Sequence, residues 1–132
     1  MNHLNENIYK NCHQTAARYP KEISEFDAAG LTKEFKDRFL APYVKESNIQ
    51  LGIQFKECID LTVNGNILII GEIQQHYFPQ NCLCDDAFLD LEKVNTISCS
   101  GLDSYRKTRR LERLSCAKVH KEVEIVKIKY IE

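Results

Sequence analysis

Glycine is scarce in this sequence, with five residues among 132, and no glycine-rich loop of the kind that binds phosphate groups is present. A Gly-x-Ser-x-Gly nucleophile elbow and a His-Glu-x-x-His zinc motif are also missing. The charge is nearly balanced, at 18 basic and 19 acidic residues, so we expect neither nucleic acid nor a membrane surface as a partner. No apolar stretch approaches the roughly 20 residues that a transmembrane helix needs. A chain of 132 residues has the usual length of one domain, so we expect a single domain over residues 1–132.

The start of the chain lacks the basic and apolar regions of a signal peptide, which predicts a cytoplasmic protein. Its six cysteines are then expected to be free thiols. Cys82, Cys84 and His76 could supply three ligands to a metal ion, but no fourth ligand accompanies them. The spacing therefore favours ordinary thiols over a metal site.

The sequence is organised around a predicted hairpin of strands 53–63 and 66–78, with Asn64-Gly65 between them. Asn-Gly between two β-prone runs is typical of a two-residue turn, because both residues tolerate positive φ. The first strand alternates apolar and polar residues, whereas the second begins with four consecutive apolar residues, 67–70. Such a run is typical of a strand that is covered on both faces. The fold class predicted is mainly β with short helices, either β or α+β.

A two-residue turn places Val63 opposite Asn66, and the same register brings Glu57 opposite Glu72. Like charges directly opposite one another are unfavourable. One extra residue in the second strand removes this conflict, and Gly71 lies where the extra residue is needed. The sequence therefore predicts a β-bulge within a residue or two of Gly71.

The rest of the chain has weaker signals. We predict a helix over residues 5–17, and a short helix that begins with a capping box at Ser24 and ends at Gly30. Further expectations are a helical turn within 31–39, one within 90–94, a strand at 96–99, a solvated basic stretch at 106–113, and an edge strand or loose arm at 123–131. These are too few strands to cover the 67–70 run, so a second subunit or upstream sequence is expected to cover it.

Several sequence blocks occur in the same order as in flavin reductase-like proteins. The blocks are His13-Gln-Thr-Ala-Ala-Arg-Tyr19, Ser24-Glu-Phe-Asp-Ala-Ala-Gly-Leu-Thr32, Ala41-Pro-Tyr-Val-Lys-Glu-Ser47, Ile70-Gly-Glu-Ile73, Ser100-Gly-Leu-Asp-Ser-Tyr105 and Leu111-Glu-Arg-Leu-Ser115. The chain thus resembles that family from about His3 to Lys118.

The resemblance implies the FMN-binding split-barrel fold, a six-stranded Greek-key barrel that forms a homodimer with FMN at the subunit interface. It also implies hydride transfer between NAD(P)H and flavin. Family members usually have a further amino-terminal segment of several strands, and this sequence resembles the part that follows it. We accordingly expect a partial split barrel, the carboxy-terminal portion of the family's fold.

The candidate cofactor-binding residues are His13, Gln14, Thr15, Arg18, His76 and Tyr105. The first four resemble the family's His-Gln-Thr-Ser-Ala-Lys motif, in which Arg18 could make a charge-assisted contact with a phosphate. A solvated helix end is the alternative for this group. The alternation of side chains along a strand predicts that His76 shares a polar face with Glu72 and Gln74, and this face is either exposed or directed at the cofactor. Tyr105 could stack on a ring or simply pack in the protein.

No side chain is predicted to act as a nucleophile, acid or base, which fits an enzyme whose flavin carries the redox chemistry. The first hypothesis is therefore a flavin reductase-like, FMN-binding protein that transfers hydride between NAD(P)H and flavin. The alternative is a truncated, non-catalytic split-barrel protein that acts as a dimerisation or partner-binding module.

Overall fold

The computed structural model describes residues 1–131, and these form two short helices and three two-stranded antiparallel sheets. The helices are α1 (Tyr9–Gln14) and α2 (Glu25–Ala29), and a 3-10 turn covers Gln80–Cys82. The sheets pair β1 (Lys33–Glu34) with β2 (Tyr43–Val44), β3 (Gln50–Leu61) with β4 (Asn66–Tyr77), and β5 (Ile97–Ser100) with β6 (Ser104–Lys107). The predicted class, mainly β with short helices, is confirmed. The three sheets do not close into a full barrel.

Helix α1 is shorter than the predicted helix over residues 5–17. The side chain of Asn5 accepts a hydrogen bond from the amide of Asn7 at 3.0 Å and donates one to the carbonyl of Glu46 at 2.9 Å. These bonds hold the backbone before Tyr9 in a turn, because the asparagine side chain competes with the helical hydrogen bonds. A tertiary contact therefore sets the start of this helix.

Helix α2 begins after Ser24 and ends at Gly30, as predicted. Gly30 has the left-handed conformation, with φ of 68°, that glycine adopts at a helix C-terminus. The predicted capping box does not form, because the Ser24 side chain makes no hydrogen bond to the helix. The prediction was therefore correct for the position of this helix and wrong for its capping.

The helical turn predicted within 31–39 is wrong, since Lys33 and Glu34 form strand β1. The carbonyl of Thr32 accepts a hydrogen bond from the amide of Lys45 at 3.0 Å. The amide of Thr32 donates in turn to the Glu46 carboxylate at 3.1 and 3.2 Å. Pairing with the segment around β2 thus overrides the weak local preference for helix.

The hairpin β3–β4 is present, but its turn contains four residues, 62–65, rather than two. Leu61, not Val63, lies opposite Asn66. Gly65 alone takes positive φ in this turn, at 70°, and the Asn64 side chain accepts the amide of Asn66 at 3.0 Å. A longer loop of this kind needs only one residue in the left-handed region. The predicted register is therefore wrong by two residues.

The predicted irregularity near Gly71 is present, although the extra residue lies on the other strand. Lys56 is unpaired between Phe55, opposite Gly71, and Glu57, opposite Ile70. A second shift follows farther along, where Gln74 is the extra residue on β4. The position of the first bulge is thus confirmed, and its assignment to the second strand is wrong. Glu57 and Glu72 do not face one another.

Two small clusters of buried side chains form the core of the described residues. Ile8, Ala29, Leu31 and Val44 form the first cluster, and Ile49, Cys82 and Val94 form the second. Most of the hairpin projects beyond both clusters. Ile67, Leu68, Ile69 and Ile70 are 61%, 48%, 67% and 42% exposed, so this single chain leaves the apolar run uncovered.

The basic stretch 106–113 was predicted to be solvated, which is wrong for two of its arginines. Arg110 pairs with the buried carboxylate of Asp90, and Arg113 pairs with Asp86. The hydroxyl of Tyr130 donates to Asp90 at 2.6 Å and ties the last residues of the chain to the same carboxylate. Arg110 and Arg113 therefore form structural ion pairs, and the carboxylate of Asp90 in one of them is buried.

The remaining segments follow the predictions in part. Residues 91–95 form a hydrogen-bonded turn, in which the Asn95 amide donates to the carbonyl of Glu92 at 3.0 Å, in agreement with the helical turn predicted within 90–94. The strand predicted at 96–99 corresponds to β5. The tail predicted at 123–131 forms only isolated bridges, Leu114 with Ile125 and Cys84 with Tyr130, so it is an arm rather than an edge strand.

All six cysteines are free. No helix within residues 1–131 is long and apolar enough to cross a membrane.

Candidate functional site

A cavity of about 450 Å³ lies between helix α1 and the β5–β6 sheet. We call it the tyrosine cavity, because the rings of Tyr9 and Tyr105 line it. Its charged lining residues are Glu6, Asp103, Arg106 and Lys107. The centroids of the two tyrosine rings are 5.3 Å apart, and their planes are inclined by 50°. Its volume is in the range of small-molecule binding sites.

His13 and Tyr105 meet beside this cavity although 92 residues separate them in the sequence. The imidazole Nδ1 and the tyrosine hydroxyl are 2.9 Å apart, and the two rings meet edge to face. His13 lies at the end of α1 and Tyr105 on β6, so the contact joins the helix to the sheet. The structure therefore brings together two of the six predicted site residues.

The hydroxyl of Tyr105 is held in its neutral form. Desolvation is the main cause that raises its pKa above the ordinary value, and the nearby side chains of Cys99, Cys12 and Asp103 raise it further. A neutral phenol can donate a hydrogen bond and accept another. Tyr105 can therefore bond to His13 and to a ligand edge at the same time.

Charged side chains form the rim of the tyrosine cavity. Lys107 pairs with Glu6, which links β6 to the segment before α1. The Nε group of Arg106 donates to the hydroxyl of Ser100 at 3.2 Å. The cavity thus combines aromatic faces with groups that can hold polar or anionic parts of a ligand.

The other residues of the matched motif have mixed positions. The Gln14 amide donates to the Tyr19 hydroxyl at 3.1 Å, and the Thr15 hydroxyl donates to the carbonyl of Cys12 at 2.7 Å. Thr15 therefore uses its donor to close the last turn of α1. Arg18 lies beyond the helix with an exposed side chain. Its position is compatible with either alternative from the sequence, a phosphate contact or a solvated helix end.

His76 lines a different cavity, of about 640 Å³, at the base of the β3–β4 hairpin. We call it the hairpin-base cavity, and its lining includes Lys36, Lys45, Gln50 and Phe78. The expectation that His76 shares a face with Glu72 is wrong. Glu72 lies opposite Gln54 and His76 opposite Leu51, and these β3 residues alternate to opposite faces. The bulge at Gln74 causes this change of face.

An aromatic cluster supports the hairpin next to this cavity. The ring of Tyr43 stacks on Phe39, with centroids 5.6 Å apart, and meets Tyr77 edge to face. The hydroxyl of Tyr77 donates to Asp37, and this hydrogen bond is the main cause that raises the pKa of Tyr77 to about 12. Burial raises the pKa of Tyr43 as well, so both tyrosines remain neutral over the physiological range of pH.

The described residues contain no group of three or more metal-ligating side chains. Neither cavity combines a nucleophile with an adjacent base. What the two cavities do offer is aromatic faces, hydrogen-bond donors and cations, which are suited to binding a ligand. The binding of redox cofactors needs groups of these kinds.

Sequence reasoning missed Tyr9 as a lining residue, although a signal for it existed. Tyr9 precedes His13 by four residues, which places both on one face of a helix. It also missed Lys36 and Lys45 at the hairpin base. Their proximity depends on the pairing of β1 with β2, and no local pattern indicates that pairing.

No protein-family model matches this chain, and no curated protein does. A solved structure that matches it is a candidate flavin reductase with a split barrel domain from Shewanella frigidimarina NCIMB 400. The two chains are 44% identical, with a TM-score of 0.85, over 88% of this chain and 59% of that one. This chain therefore spans less than two thirds of the length of that relative.

Two further solved structures share the fold at lower identity. One is the 2-nitrobenzoate 2-nitroreductase NbaA of Pseudomonas fluorescens, which is 20% identical with a TM-score of 0.73, over 92% of this chain and 60% of that one. The other is nitrilotriacetate monooxygenase component B of Bacillus cereus, which is 24% identical with a TM-score of 0.72, over 86% of this chain and 57% of that one. The resemblance found in the sequence is therefore confirmed: this chain is similar over 88% of its length to a candidate flavin reductase with a split barrel domain, and it shares the fold of the two other proteins.

Proposed function

We propose that this chain binds FMN as a homodimer and takes part in hydride transfer between NAD(P)H and flavin. The observation that carries the proposal is the 44% identity to a candidate flavin reductase, which extends over 88% of this chain. The chain spans 59% of that relative, so flavin binding and activity are both part of the proposal.

The residues around the tyrosine cavity fit a flavin. Tyr9 and Tyr105 offer aromatic faces to a planar ring, and the Tyr105 hydroxyl with His13 offers hydrogen bonds to a ring edge. Arg106 lines the cavity as an exposed cation that could contact a phosphate. Arg18, exposed beyond the end of α1, is a second cation for this role, which the motif suggests. Gln14 and Thr15 would support α1 beneath these contacts rather than bind the ligand directly, since their side chains already bond within the chain.

The chemistry would come from the cofactor. A bound FMN would supply the redox chemistry, as the acceptor of a hydride from NAD(P)H. The task of the protein residues is to position both partners and to exclude water. This division of roles agrees with the expectation from the sequence that no side chain acts as nucleophile, acid or base.

The homodimer rests on the exposed hairpin. Its second strand carries Ile67, Ile69 and Ile73 with more than half of each side chain exposed. A contiguous apolar surface of this kind is typical of an interface between proteins. We assign the surface to a second copy of the chain.

The six free cysteines suit a reducing compartment, which supports the expectation of a cytoplasmic protein.

Flavin binding can be tested with the purified chain. After incubation with FMN and gel filtration, the protein peak is expected to retain flavin absorbance. Replacement of Tyr105 by Ala should weaken FMN binding about tenfold, because ring stacking and the bond to His13 are both lost. Tyr105→Phe keeps the ring and should weaken it less. A protein peak without flavin, together with unchanged FMN fluorescence during titration, would rule out the proposal.

A non-catalytic role is the second candidate, and the exposed apolar hairpin favours it as well. A chain that dimerises or binds a partner through this surface needs no flavin. The measurement that separates the candidates is NADH oxidation in the presence of FMN, followed by the loss of NADH absorbance. Dimerisation without flavin binding or NADH oxidation would favour the non-catalytic module.

A further inference from the structure

The hairpin-base cavity contains a fixed cation. The Nζ group of Lys36 donates to the side-chain oxygen of Gln50 at 2.8 Å and pairs with Glu34 at 3.0 Å. Gln50 is 2% exposed, and its amide group donates to the carbonyl of Val44 at 2.7 Å. A buried, fully bonded glutamine therefore holds the lysine in place. Lys36 also lies 4.8 Å from the centroid of the Tyr77 ring.

A second cation in this cavity is free to bind a ligand. Lys45 lines it, has an exposed side chain, and forms no ion pair within the part of the chain that the structure describes. The lining contains two lysines and one glutamate, so its formal charge is 2 − 1 = +1. Glu34 is bonded to Lys36, and Lys45 interacts with the carboxylates of Glu34 and Glu46 without a salt bridge to either, so its Nζ group keeps its hydrogen-bond donors for a ligand. An anion is the ligand that this arrangement favours.

An aromatic stack lies on the same cavity. His76 and Phe78 both line it, with ring centroids 5.2 Å apart and planes only 6° from parallel. Phe78 packs against the buried cluster of Ile49, Cys82 and Val94, whereas His76 is exposed. His76 is thus the outer layer of a stack whose inner layer is anchored in the core. A planar ring can extend such a stack.

We propose that the hairpin-base cavity binds a nucleoside phosphate, with the phosphate at Lys45 and the base on the exposed face of His76. The cavity volume of about 640 Å³ is large enough for a ligand of this class. Asn48 also lines the cavity and could bond to the sugar or base. The site differs from the tyrosine cavity, where the flavin contacts were proposed, so two different ligands can be bound at once.

The first experiment titrates the intact chain with AMP, adenosine and inorganic phosphate, followed by amide chemical shifts. AMP is expected to bind saturably, and adenosine and phosphate should each bind at least about tenfold more weakly, because each engages half of the site. Saturable binding of AMP should persist when FMN is present in excess. Absence of saturable AMP binding, or phosphate binding as tight as that of AMP, would overturn the proposal.

Variants test the two halves of the site separately. Lys45→Glu should weaken AMP binding about tenfold or more, whereas Lys21→Glu makes the same charge change at an exposed position outside the cavity and should not. His76→Ala should weaken it about fivefold or more through loss of stacking, and His76→Phe should restore most of the affinity. All four substitutions are at exposed positions, and a dispersed amide spectrum verifies the fold of each variant.

The outcomes distinguish this site from the proposed flavin site. Equal loss of AMP affinity in Lys45→Glu and Lys21→Glu would show that only overall charge matters, and would refute the site. Displacement of AMP by FMN would assign the cavity to flavin instead. Failure of the chain to bind FMN would contradict the proposed function and leave the AMP result standing, because the two titrations use different cavities.

Discussion

The hydroxyl of Tyr43 lies over Gly52, in the space that a β-carbon at this position would occupy. Tyr43 is 1% exposed, and its hydroxyl donates to the side chain of Gln75 at 2.9 Å on the neighbouring strand. The absence of a side chain at Gly52 allows the ring of Tyr43 to reach the hairpin backbone. This contact joins the β1–β2 sheet to the base of the β3–β4 hairpin, and the hairpin-base cavity lies beside it.

Replacement of Gly52 by Ala should destabilise the protein by about 1–3 kcal/mol, the usual cost of overpacking a close-packed site. Urea denaturation measures this difference as a shift in the midpoint. Tyr43→Phe removes the overlapping hydroxyl, so the double variant should be less destabilised than the sum of the two single variants. Additive effects would contradict the contact between the two residues.

Arg18→Ala should weaken FMN binding more than Arg109→Ala does. Arg18 belongs to the motif that resembles the family's and lies in the segment that carries His13, whereas Arg109 lies in a charged run outside it. Both side chains are exposed, so neither substitution should affect the fold. Fluorescence titration with FMN measures the two dissociation constants, and equal values would remove the assigned role of Arg18.

Sedimentation should show a dimer or a larger assembly at micromolar concentration, and Ile69→Glu should shift it toward monomer. Burial of one such side chain is worth roughly 1.5–3 kcal/mol, and a buried glutamate at the interface would add a further cost. Leu102→Glu is the matched control, because Leu102 is 92% exposed in the turn after Gly101, outside the hairpin. A monodisperse wild-type monomer is the result that would disprove the interface.

Asp90→Asn should lower the free energy of unfolding by about 3 kcal/mol at neutral pH, near the lower end of the cost of breaking a buried ion pair. Burial alone would raise the pKa of Asp90, but the hydrogen bonds from Tyr130 and Arg110 outweigh it and hold the pKa below its usual value. Thermal or urea denaturation of the two proteins measures the difference. Asp60→Asn, at an exposed position on β3, should change stability by less than about 0.5 kcal/mol.

The lowered pKa of Asp90 also predicts a pH dependence. Its stabilising effect is fully present above the pKa of an unfolded aspartate, about 4, and is lost as the pH falls through the lower folded value. The difference in stability between wild type and Asp90→Asn should therefore shrink in acid. A difference that stays constant down to strongly acidic pH would contradict the assignment of the effect to this carboxylate.

Local signals were sufficient where a residue's own backbone preference decides the structure. Gly30 ends α2 in the left-handed conformation because glycine has no β-carbon to oppose it. Gly65 takes positive φ in the hairpin turn for the same reason, although the turn has four residues. The bulge predicted near Gly71 is present there, where a β-carbon would collide with Ile53 of the paired strand.

The amino-acid sequence alone determined the hairpin, the helix that ends at Gly30, and the ordered motifs that resemble flavin reductase-like proteins, because each depends on neighbours in the chain. Only the tertiary structure decided which motif residues meet. His13 and Tyr105 come into contact across 92 residues, while the bulge at Gln74 turns His76 to another face and into a separate cavity. Strand register and contacts between distant segments depend on how the whole chain packs, and a shift of one residue in a strand moves a side chain to the opposite face.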